Sequence, residues 1–382
     1  MKSAISTLLL GSFALVACNS NPPMNPTNWT QFRGGSSHTG AGEGACAIRV
    51  PELAWSFDTG GTVESSPTVI DGTLYCGSFA GSLFAIDVES GEERWRFEVG
   101  ELVRASPSVL DGRVYFGGDD ERFYCLDAKT GEQIWSLKLG PGGQQSSPAI
   151  DDGVVYFGSF DNSVYAVDAA KGEVIWKFAT EGAILSSPTL TDDLVVIGSQ
   201  DGNVYGVNRK TGEQSWVFKT KATVWSSPAF AAGSIFVGSD DHGVYALDPN
   251  TGAQRWHHET DGTVFSSPAV DEATNVLYVG SDDRFLYALD CADGRQHWRT
   301  DLGGRVLGTP AIVDDHLYVG GEGSGGNLPG ALFAVDRESG EVVWRFEIGS
   351  TVWSSPTATG QSLYFGAHDG KIRRVIEERQ LL

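Results

Sequence analysis

The chain has 382 residues, and its 27 basic against 49 acidic side chains give a formal net charge of −22 at neutral pH. This length allows a large core. The acidic excess excludes the basic groove of a nucleic-acid-binding protein and disfavours adhesion to anionic lipid headgroups, because like charges repel. We therefore expect no nucleic-acid partner.

The N-terminus predicts export. Lys2 supplies a positive charge, and the apolar segment that ends at Ala17 is too short to span a bilayer. Residues 1–17, which end in Leu15-Val16-Ala17, resemble bacterial lipoprotein signal peptides. In that family the chain is cut before a cysteine, here Cys18, which is then linked to diacylglycerol. An ordinary secretory signal is the alternative.

The same resemblance sets the expected location. A lipidated Cys18 implies a protein that is anchored to the membrane without spanning it, with residues 18–45 as tether and N-terminal arm. In such lipoproteins an aspartate after the cysteine retains the protein in the inner membrane, whereas Asn19 stands here. We expect the outer membrane, facing the periplasm.

The dominant feature of the sequence is a tryptophan that recurs at an almost constant spacing. The intervals are 40, 40, 41, 40, 40, 42 and 46 residues, between Trp55, Trp95, Trp135, Trp176, Trp216, Trp256, Trp298 and Trp344. A period of about forty residues is typical of propellers and solenoids. Each unit holds four short segments rich in Val, Tyr, Phe and Ile, with no apolar run at helical spacing. We predict an all-β protein.

Polar residues that recur in every unit are predicted to be structural. Aspartates end the third strand of most units, each followed by a glycine: Asp87, Asp127, Asp168, Asp248, Asp290 and Asp336. Such a carboxylate can accept hydrogen bonds from the backbone N–H groups of the turn, while the glycine a few residues later supplies a positive φ. The Ser-Pro or Thr-Pro pair that opens each unit is interpreted in the same way.

The two ends of the array predict a closed ring. The last unit contains Ser355-Pro356 and Tyr364-Phe365-Gly366 but lacks a fourth strand, whereas the array begins with an orphan strand at residues 53–57. We predict that the N-terminal strand completes the last blade, because closure removes exposed sheet edges. The expected fold is a monomeric eight-bladed β-propeller of four-stranded antiparallel blades over residues 46–382.

The repeats resemble a known family. The end of each unit, for example the segment from Ala246-Leu247-Asp248 to Trp256, is similar to the end of a PQQ-like β-propeller repeat. This resemblance covers about residues 53–375. The segment from Trp29 to Gly34, with Thr39-Gly40, resembles the arm that precedes such repeats in exported members. The resemblance implies that this arm tethers and braces the propeller.

The family contains scaffolds and enzymes, so function must be argued from the site. Similarity to lipoproteins of the BamB family implies a non-catalytic, protein-binding scaffold with envelope protein partners, in the β-barrel assembly machinery. The alternative is a quinoprotein dehydrogenase that holds PQQ and Ca²⁺; these enzymes resemble longer chains with an adjacent cysteine pair, which is missing from this sequence. A carbohydrate- or peptide-binding sensor is a third possibility. We expect no cofactor.

Motifs for catalysis or metal binding are missing from the sequence. Adjacent His257 and His258 point to opposite faces of a strand, and no HExxH, P-loop or nucleophile elbow occurs. Four cysteines follow Cys18 without a CxxC motif: Cys46, Cys76, Cys125 and Cys291. We predict no catalytic residue and no metal site. Cys76 and Cys125 are predicted to fill the core, and the pairing of the four cysteines is left open.

The loops between second and third strands are acidic. Their recurring acids are Asp119, Asp120, Asp161, Asp201, Asp240, Asp241, Asp282, Asp283 and Asp369. We expect these carboxylates to cap turns and to make one face of the ring negative. The glycine-rich loop 320–330 is longer than its counterpart at 280–284; a neutral insertion and a partner contact are both compatible with it.

The least repetitive position of the unit predicts the functional surface. It lies two residues before the Ser or Thr of each Ser-Pro or Thr-Pro pair, and in chain order it holds Glu64, Arg104, Gln145, Leu185, Trp225, Phe265, Leu307 and Trp353. The first three blades thus offer polar groups and the other five offer apolar or aromatic ones. We predict that these eight side chains form a partner-binding rim around the channel. The alternative is that they only plug it.

Replacing the lipidation cysteine tests the predicted anchor. In Cys18→Ala the protein should leave the membrane fraction, because no other segment is apolar enough to hold it there. Fractionation of cells followed by immunoblotting measures this. If the variant still sediments with membranes in high salt, a protein partner is the anchor and the lipid prediction is wrong.

Overall fold

The computed structural model of the chain describes residues 30–35, 37–40, 45, 47–323 and 329–378. The predicted signal peptide, Cys18 and Cys46 lie outside the described residues. The N-terminal arm contains a short 3₁₀ helix at Phe32–Gly34. No helix in these ranges is both long and apolar enough to cross a membrane.

The described chain forms 32 strands, which we number in chain order. The first strand is β1 (Pro51–Asp58). Blade 1 contains β2 (Thr68–Ile70), β3 (Thr73–Ser78), β4 (Ser82–Asp87) and β5 (Glu93–Glu98), and blade 2 contains β6 (Ser108–Leu110), β7 (Arg113–Gly118), β8 (Arg122–Asp127) and β9 (Gln133–Lys138). Blade 3 contains β10 (Ala149–Asp151), β11 (Val154–Ser159), β12 (Ser163–Asp168) and β13 (Val174–Ala179), and blade 4 contains β14 (Thr189–Leu190), β15 (Leu194–Gly198), β16 (Asn203–Asn208) and β17 (Gln214–Lys219).

The second half of the ring repeats this order. Blade 5 contains β18 (Ala229–Ala231), β19 (Ser234–Gly238), β20 (Gly243–Leu247) and β21 (Gln254–Glu259), and blade 6 contains β22 (Ala269–Asp271), β23 (Val276–Gly280), β24 (Phe285–Asp290) and β25 (Gln296–Asp301). Blade 7 contains β26 (Ala311–Val313), β27 (His316–Gly321), β28 (Ala331–Asp336) and β29 (Val342–Glu347), and blade 8 contains β30 (Thr357–Thr359), β31 (Ser362–Gly366) and β32 (Lys371–Glu377).

The N-terminal strand completes blade 8. Strand β1 pairs antiparallel with β32, with Trp55 opposite Arg374 and Phe57 opposite Ile372, so the sheet order is β1-β32-β31-β30. The innermost strand of blade 8, β30, also contacts the innermost strand of blade 1, β2. Both the eight-bladed fold and its closure by the N-terminal strand, predicted from the sequence, are confirmed.

The core lies between the blades rather than at the centre of the ring. The second and third strands of each blade are buried on both faces, as in β11 and β12, while outer strands such as β13 alternate. Neighbouring blades meet through stacked side chains, and the rings of Phe123 and Phe157 lie 4.0 Å apart, nearly parallel. Sheets buried on both faces explain why these segments are apolar at successive positions.

Each recurring tryptophan links its blade to the next one. The indole Nε1 of Trp176 donates to the carbonyl of Arg209 at 2.8 Å, and Trp216 donates to Pro249 at 2.9 Å. A glycine with positive φ packs against the ring of every recurring tryptophan except Trp344, and a Cβ on Gly212 would lie 2.8 Å from the indole of Trp176. Trp344 donates to Ile48, just before β1, at 2.7 Å. The repeat of the sequence is therefore a repeat of interblade contacts.

The recurring Ser-Pro pair also joins blades. The main-chain N–H of Ser66 donates to the hydroxyl of Ser106 in the next blade at 2.9 Å, and the same bond recurs from blade to blade. At the closure, Ser355 N–H of blade 8 donates to Ser66 Oγ of blade 1 at 2.9 Å. The predicted structural role of these residues is confirmed.

The turn aspartates and the buried cysteines also agree with the sequence analysis. Asp127 accepts the amides of residues 129 and 130 at 2.9 and 2.8 Å, and Gly131 has a φ of 74°. Cys76 and Cys125 are fully buried in the core, as predicted. Burial raises the pKa of Cys76 to about 12 and that of Cys125 to about 11, so both thiols are unreactive near neutral pH.

The N-terminal arm lies across the central channel, where it contacts six innermost strands. Carbonyls of the arm accept N–H groups of blades 2, 5, 6 and 7, in the pairs Val109 to Thr30 (2.7 Å), Phe230 to Ser37 (3.0 Å), Val270 to Thr39 (2.9 Å) and Ile312 to Gly40 (2.9 Å). The Gln31 amide exchanges two hydrogen bonds with Ile150 in blade 3, and His38 meets Thr189 in blade 4. The arm therefore braces the ring from inside.

Two truncations test how the ring is closed. Deleting residues 46–60 should lower the melting temperature by more than about 10 °C, because it removes β1 and the acceptor of Trp344. Deleting residues 19–27 removes neither, and should leave the melting temperature unchanged. Circular dichroism of both proteins measures this, and equal melting temperatures would refute closure by β1.

Candidate functional site at the channel rim

The structure places the eight predicted rim residues at one end of the channel, each just before an innermost strand. Phe265 is the most exposed of them at 37%, whereas Leu185 is 9% exposed. Gln145 and Leu307 are half-buried. We call these eight positions the rim. They are flanked by one residue from the loop that joins the second and third strands of each blade.

Two aromatic residues of the rim form one stacked surface. The rings of Trp225 and Phe265, on blades 5 and 6, lie 5.1 Å apart at an interplanar angle of 25°. Phe265 is the one aromatic residue among the exposed large apolar side chains in the described part of the chain. Asp240 lies beside Trp225, and burial raises the pKa of this carboxyl. The pair is an apolar platform with an acidic border.

Trp353 anchors a second cluster, across blades 6 to 8. Its Nε1 donates to Glu322 at 3.0 Å, and its ring meets the edge of His368 at 4.5 Å. Arg305 holds the same glutamate through Nε and Nη2 at 2.7 and 2.8 Å, and reaches Asp282 at 3.7 Å. This bidentate bond fixes the carboxylate that orients the indole.

The polar side of the rim contains Glu64 and Arg104. Arg104 Nε donates to Asp119 at 3.0 Å, and its guanidinium lies 4.7 Å from the centre of the Phe79 ring. The carboxylate of Glu64 lies 3.5 Å from Nε2 of His368. Burial raises the pKa of Glu64, which Arg104 partly opposes, and burial lowers the pKa of His368. His368 is therefore neutral near pH 7.

The predicted acidic ring divides into two classes of residue. One class consists of aspartates whose carboxylate accepts a hydrogen bond from a tyrosine hydroxyl of the same blade. Tyr165 donates to Asp161 at 2.5 Å, and Tyr245 donates to Asp241 at 2.7 Å. The loop residue just before this position lies beside the rim, because its N–H donates to the carbonyl two residues before the rim residue of the same blade. In chain order this position holds Phe79, Asp119, Phe160, Gln200, Asp240, Asp282, Glu322 and His368. The sequence analysis did not connect this position to the rim, although its variability is the same signal.

The described residues show no arrangement for metal binding. No group of three or more His, Cys, Asp or Glu side chains within them could hold an ion. His257 stacks on Tyr245 of its own blade, whereas His258 contacts Tyr287 of the next blade. The two side chains thus lie on opposite faces of their strand, one against its own blade and the other against the next blade. The chemistry that the rim itself offers is binding by stacking, hydrogen bonds and charge.

Comparison with protein families gives one match along most of the chain. The family described as outer membrane protein assembly factor BamB matches residues 49–158, 119–263, 218–276 and 266–373. Among curated protein sequences, none matches the chain.

Solved structures share the fold at low sequence identity. BamB from Moraxella catarrhalis is 16% identical with a TM-score of 0.72, covering 86% of this chain and 100% of that one. A europium-containing methanol dehydrogenase is 14% identical with a TM-score of 0.78, covering 92% and 98%. Quinohemoprotein alcohol dehydrogenase from Comamonas testosteroni is 14% identical with a TM-score of 0.76, covering 93% and 82%. At these identities the likeness is one of fold.

The buried rim carboxylate should reduce stability at neutral pH. Because burial raises the pKa of Glu64, the folded chain binds this proton more tightly than the unfolded chain does, so ionisation favours unfolding. Glu64→Gln should therefore raise the melting temperature at pH 7. The gain should vanish below about pH 4.3, the ordinary pKa of a glutamate, because the penalty is then absent.

Melting curves between pH 4 and pH 7 measure this difference. Glu52→Gln, at an exposed position on β1, is the matched control and should not change the melting temperature. A lower melting temperature for Glu64→Gln at pH 7 would mean that Arg104 or His368 stabilises the charged form more than burial disfavours it.

Proposed function

The chain belongs to the family of the outer membrane protein assembly factor BamB, and on this premise we propose that it is a non-catalytic scaffold whose rim binds a partner protein. The observation that carries this proposal is the aromatic surface at the mouth of the channel. Trp225 and Phe265 stack there with Phe265 exposed, and Trp353 lies on blade 8, two blades beyond Phe265. Exposed aromatic residues beside charged groups are typical of binding hot spots.

The rim suits a segment with both apolar and polar groups. An apolar side chain of the partner would lie against Trp225 and Phe265, since burying such rings contributes most of the energy at protein interfaces. Arg104 and Glu64, on the polar side, would orient hydrogen-bonding groups of the same segment. The acids around the mouth favour a partner segment that carries a basic rather than an acidic side chain.

The proposed setting is the cell envelope. A lipid on Cys18 would hold the propeller at the outer membrane, facing the periplasm, where proteins of the β-barrel assembly machinery are its expected partners. In this role the protein needs no cofactor. Its acidic surface, with a net charge of −22, would also keep it from adhering to anionic headgroups beneath it.

Removing two rim tryptophans tests the proposal. Trp225→Ala combined with Trp353→Ala should abolish recovery of envelope proteins with the tagged chain from mild-detergent extracts, because both large apolar contacts are lost. The melting temperature should fall only slightly, since both residues lie at the channel mouth and outside the interblade core. Mass spectrometry of the recovered proteins and a melting curve measure the two effects.

The matched control removes apolar surface elsewhere. Ile175→Ala with Val343→Ala, on outer strands where these side chains are 51% and 43% exposed, should leave partner recovery intact. A large loss of stability with intact recovery in the tryptophan variant would make the rim part of the core. Dye reduction by the purified chain with PQQ, Ca²⁺ and an alcohol would favour the alternative, a quinoprotein dehydrogenase.

A further inference from the structure

One part of the rim already holds an arginine between an aromatic ring and an acid of the same chain. The guanidinium of Arg104 lies 4.7 Å from the centre of the Phe79 ring, and its Nε donates to Asp119 at 3.0 Å. The negative face of an aromatic ring attracts a cation, and a carboxylate at the edge of the guanidinium adds a charge-assisted hydrogen bond. Blades 1 and 2 thus show an arrangement that fixes an arginine side chain at the mouth of the channel.

Blades 5 and 6 present the same two kinds of group without a cation. The stacked rings of Trp225 and Phe265 form the aromatic part, and Asp240 and Asp282 are the loop residues of the same two blades. Phe265 is 37% exposed and Asp240 is half-buried, so both are accessible from solvent. The cation–π contacts of the described residues involve other rings.

Asp240 is the loop acid of the rim that lacks an ion pair among the described residues. The other loop acids each have an arginine partner, in the pairs Asp119–Arg104 (3.0 Å), Asp282–Arg305 (3.7 Å) and Glu322–Arg305 (2.7 Å). Burial raises the pKa of Asp240, a hydrogen bond from Trp225 opposes this, and the charges of Asp282 and Asp241 raise the pKa further. A cation from outside the chain would relieve this repulsion between like charges.

An arginine side chain fits these groups better than a lysine side chain does. A planar guanidinium can lie flat on the exposed ring of Phe265 while its N–H groups point at the carboxylate of Asp240, as Arg104 does within the chain. An ammonium group is a compact, strongly hydrated point charge without a flat face. The site is an open surface, and open surfaces suit protein partners, whereas small ligands prefer clefts that bury most of their area.

We propose that Trp225, Phe265 and Asp240 bind an arginine side chain of the partner protein. The apolar stem of the arginine would lie against Trp225, and its guanidinium would stack on Phe265 and donate to Asp240. Asp282 would add attraction at longer range. This inference rests on the scaffold role proposed above and names the side chain by which the rim recognises its partner.

Titration of the purified full-length chain with short peptides tests the site. The probes are acetylated and amidated tripeptides with a central arginine, lysine or citrulline, the last of which has the shape of arginine without its charge. In low salt the arginine peptide should bind at least about tenfold more tightly than the citrulline peptide and about threefold more tightly than the lysine peptide, because the site uses both the charge and the flat face.

Nuclear magnetic resonance of the chain labelled with ¹⁵N-tryptophan measures these affinities and locates the site. The indole N–H resonance of Trp225, identified by its loss in Trp225→Phe, should shift as the arginine peptide is added. The resonance of Trp353 should stay unchanged, because its Nε1 already donates to Glu322 at 3.0 Å.

Two rim variants separate the contributions of charge and ring. Asp240→Asn should weaken binding of the arginine peptide at least about fivefold and leave the citrulline peptide unaffected, since the charge-assisted bond is lost. Phe265→Leu keeps an apolar side chain without an aromatic face, and it should also weaken binding of the arginine peptide. Asp152→Asn, at an exposed turn between β10 and β11, removes the same charge at the other end of a blade and is the matched control. Melting curves establish that all three variants are folded.

Equal affinity of the wild type for the arginine and citrulline peptides would overturn the proposal. So would an Asp240→Asn protein that binds the arginine peptide as tightly as the wild type does. Either result leaves the scaffold role intact if Trp225→Ala with Trp353→Ala still loses its partner proteins. Failure of the scaffold role would show instead as partner recovery that survives the tryptophan changes, whatever the peptide affinities are.

Discussion

A hydroxyl group at the start of each innermost strand sets the geometry of the ring. The N–H of Ser66, Ser147 or Ser355 points out of its own sheet, and the hydroxyl of the neighbouring blade accepts it. A buried N–H without a partner costs about 1–3 kcal/mol, so each blade is stable only beside the next one. The proline that follows has no N–H, which removes the next donor that would need a partner. The Ser-Pro pair therefore leaves no main-chain N–H without a partner at this point of the channel wall.

This constraint leaves the rim free to vary. Because hydroxyls and main-chain groups fix the strand starts, the side chain just before them can be Glu64, Leu185 or Trp353 without changing the ring. The residues that reduce the stability of the fold lie at the rim instead. Burial raises the pKa of Glu64 and of Asp240, so both carboxylates are held where ionisation is unfavourable. Groups that reduce stability at a surface site are typically retained for binding.

The sequence predicts the fold well because each interblade contact recurs in it. The tryptophan spacing, the turn aspartates and the missing last strand were enough to predict eight blades and their closure. The same analysis found the rim as the variable position, but not its partners. Asp119, Glu322 and His368 each lie 15 residues after a rim residue of the same blade, so the repeat records their place, but it does not record that Glu322 and His368 contact the rim residues of the next blade. The resemblance predicted an arm that braces the propeller, but a segment without a period gives no signal of the path that it takes across the channel.

The arm completes the hydrogen bonding that the repeats leave unfinished. Two residues after each proline the innermost strand directs another N–H into the channel, and arm carbonyls accept those of Val109, Phe230, Val270 and Ile312. Main-chain carbonyls bind these four blades, and the side chains of Gln31 and His38 bind blades 3 and 4. The buried guanidinium of Arg33 adds a bond to blade 5, from Nη1 to the carbonyl of Ser227 at 3.4 Å. The arm thus completes the channel wall both through its backbone and through side chains that pair with the innermost strands.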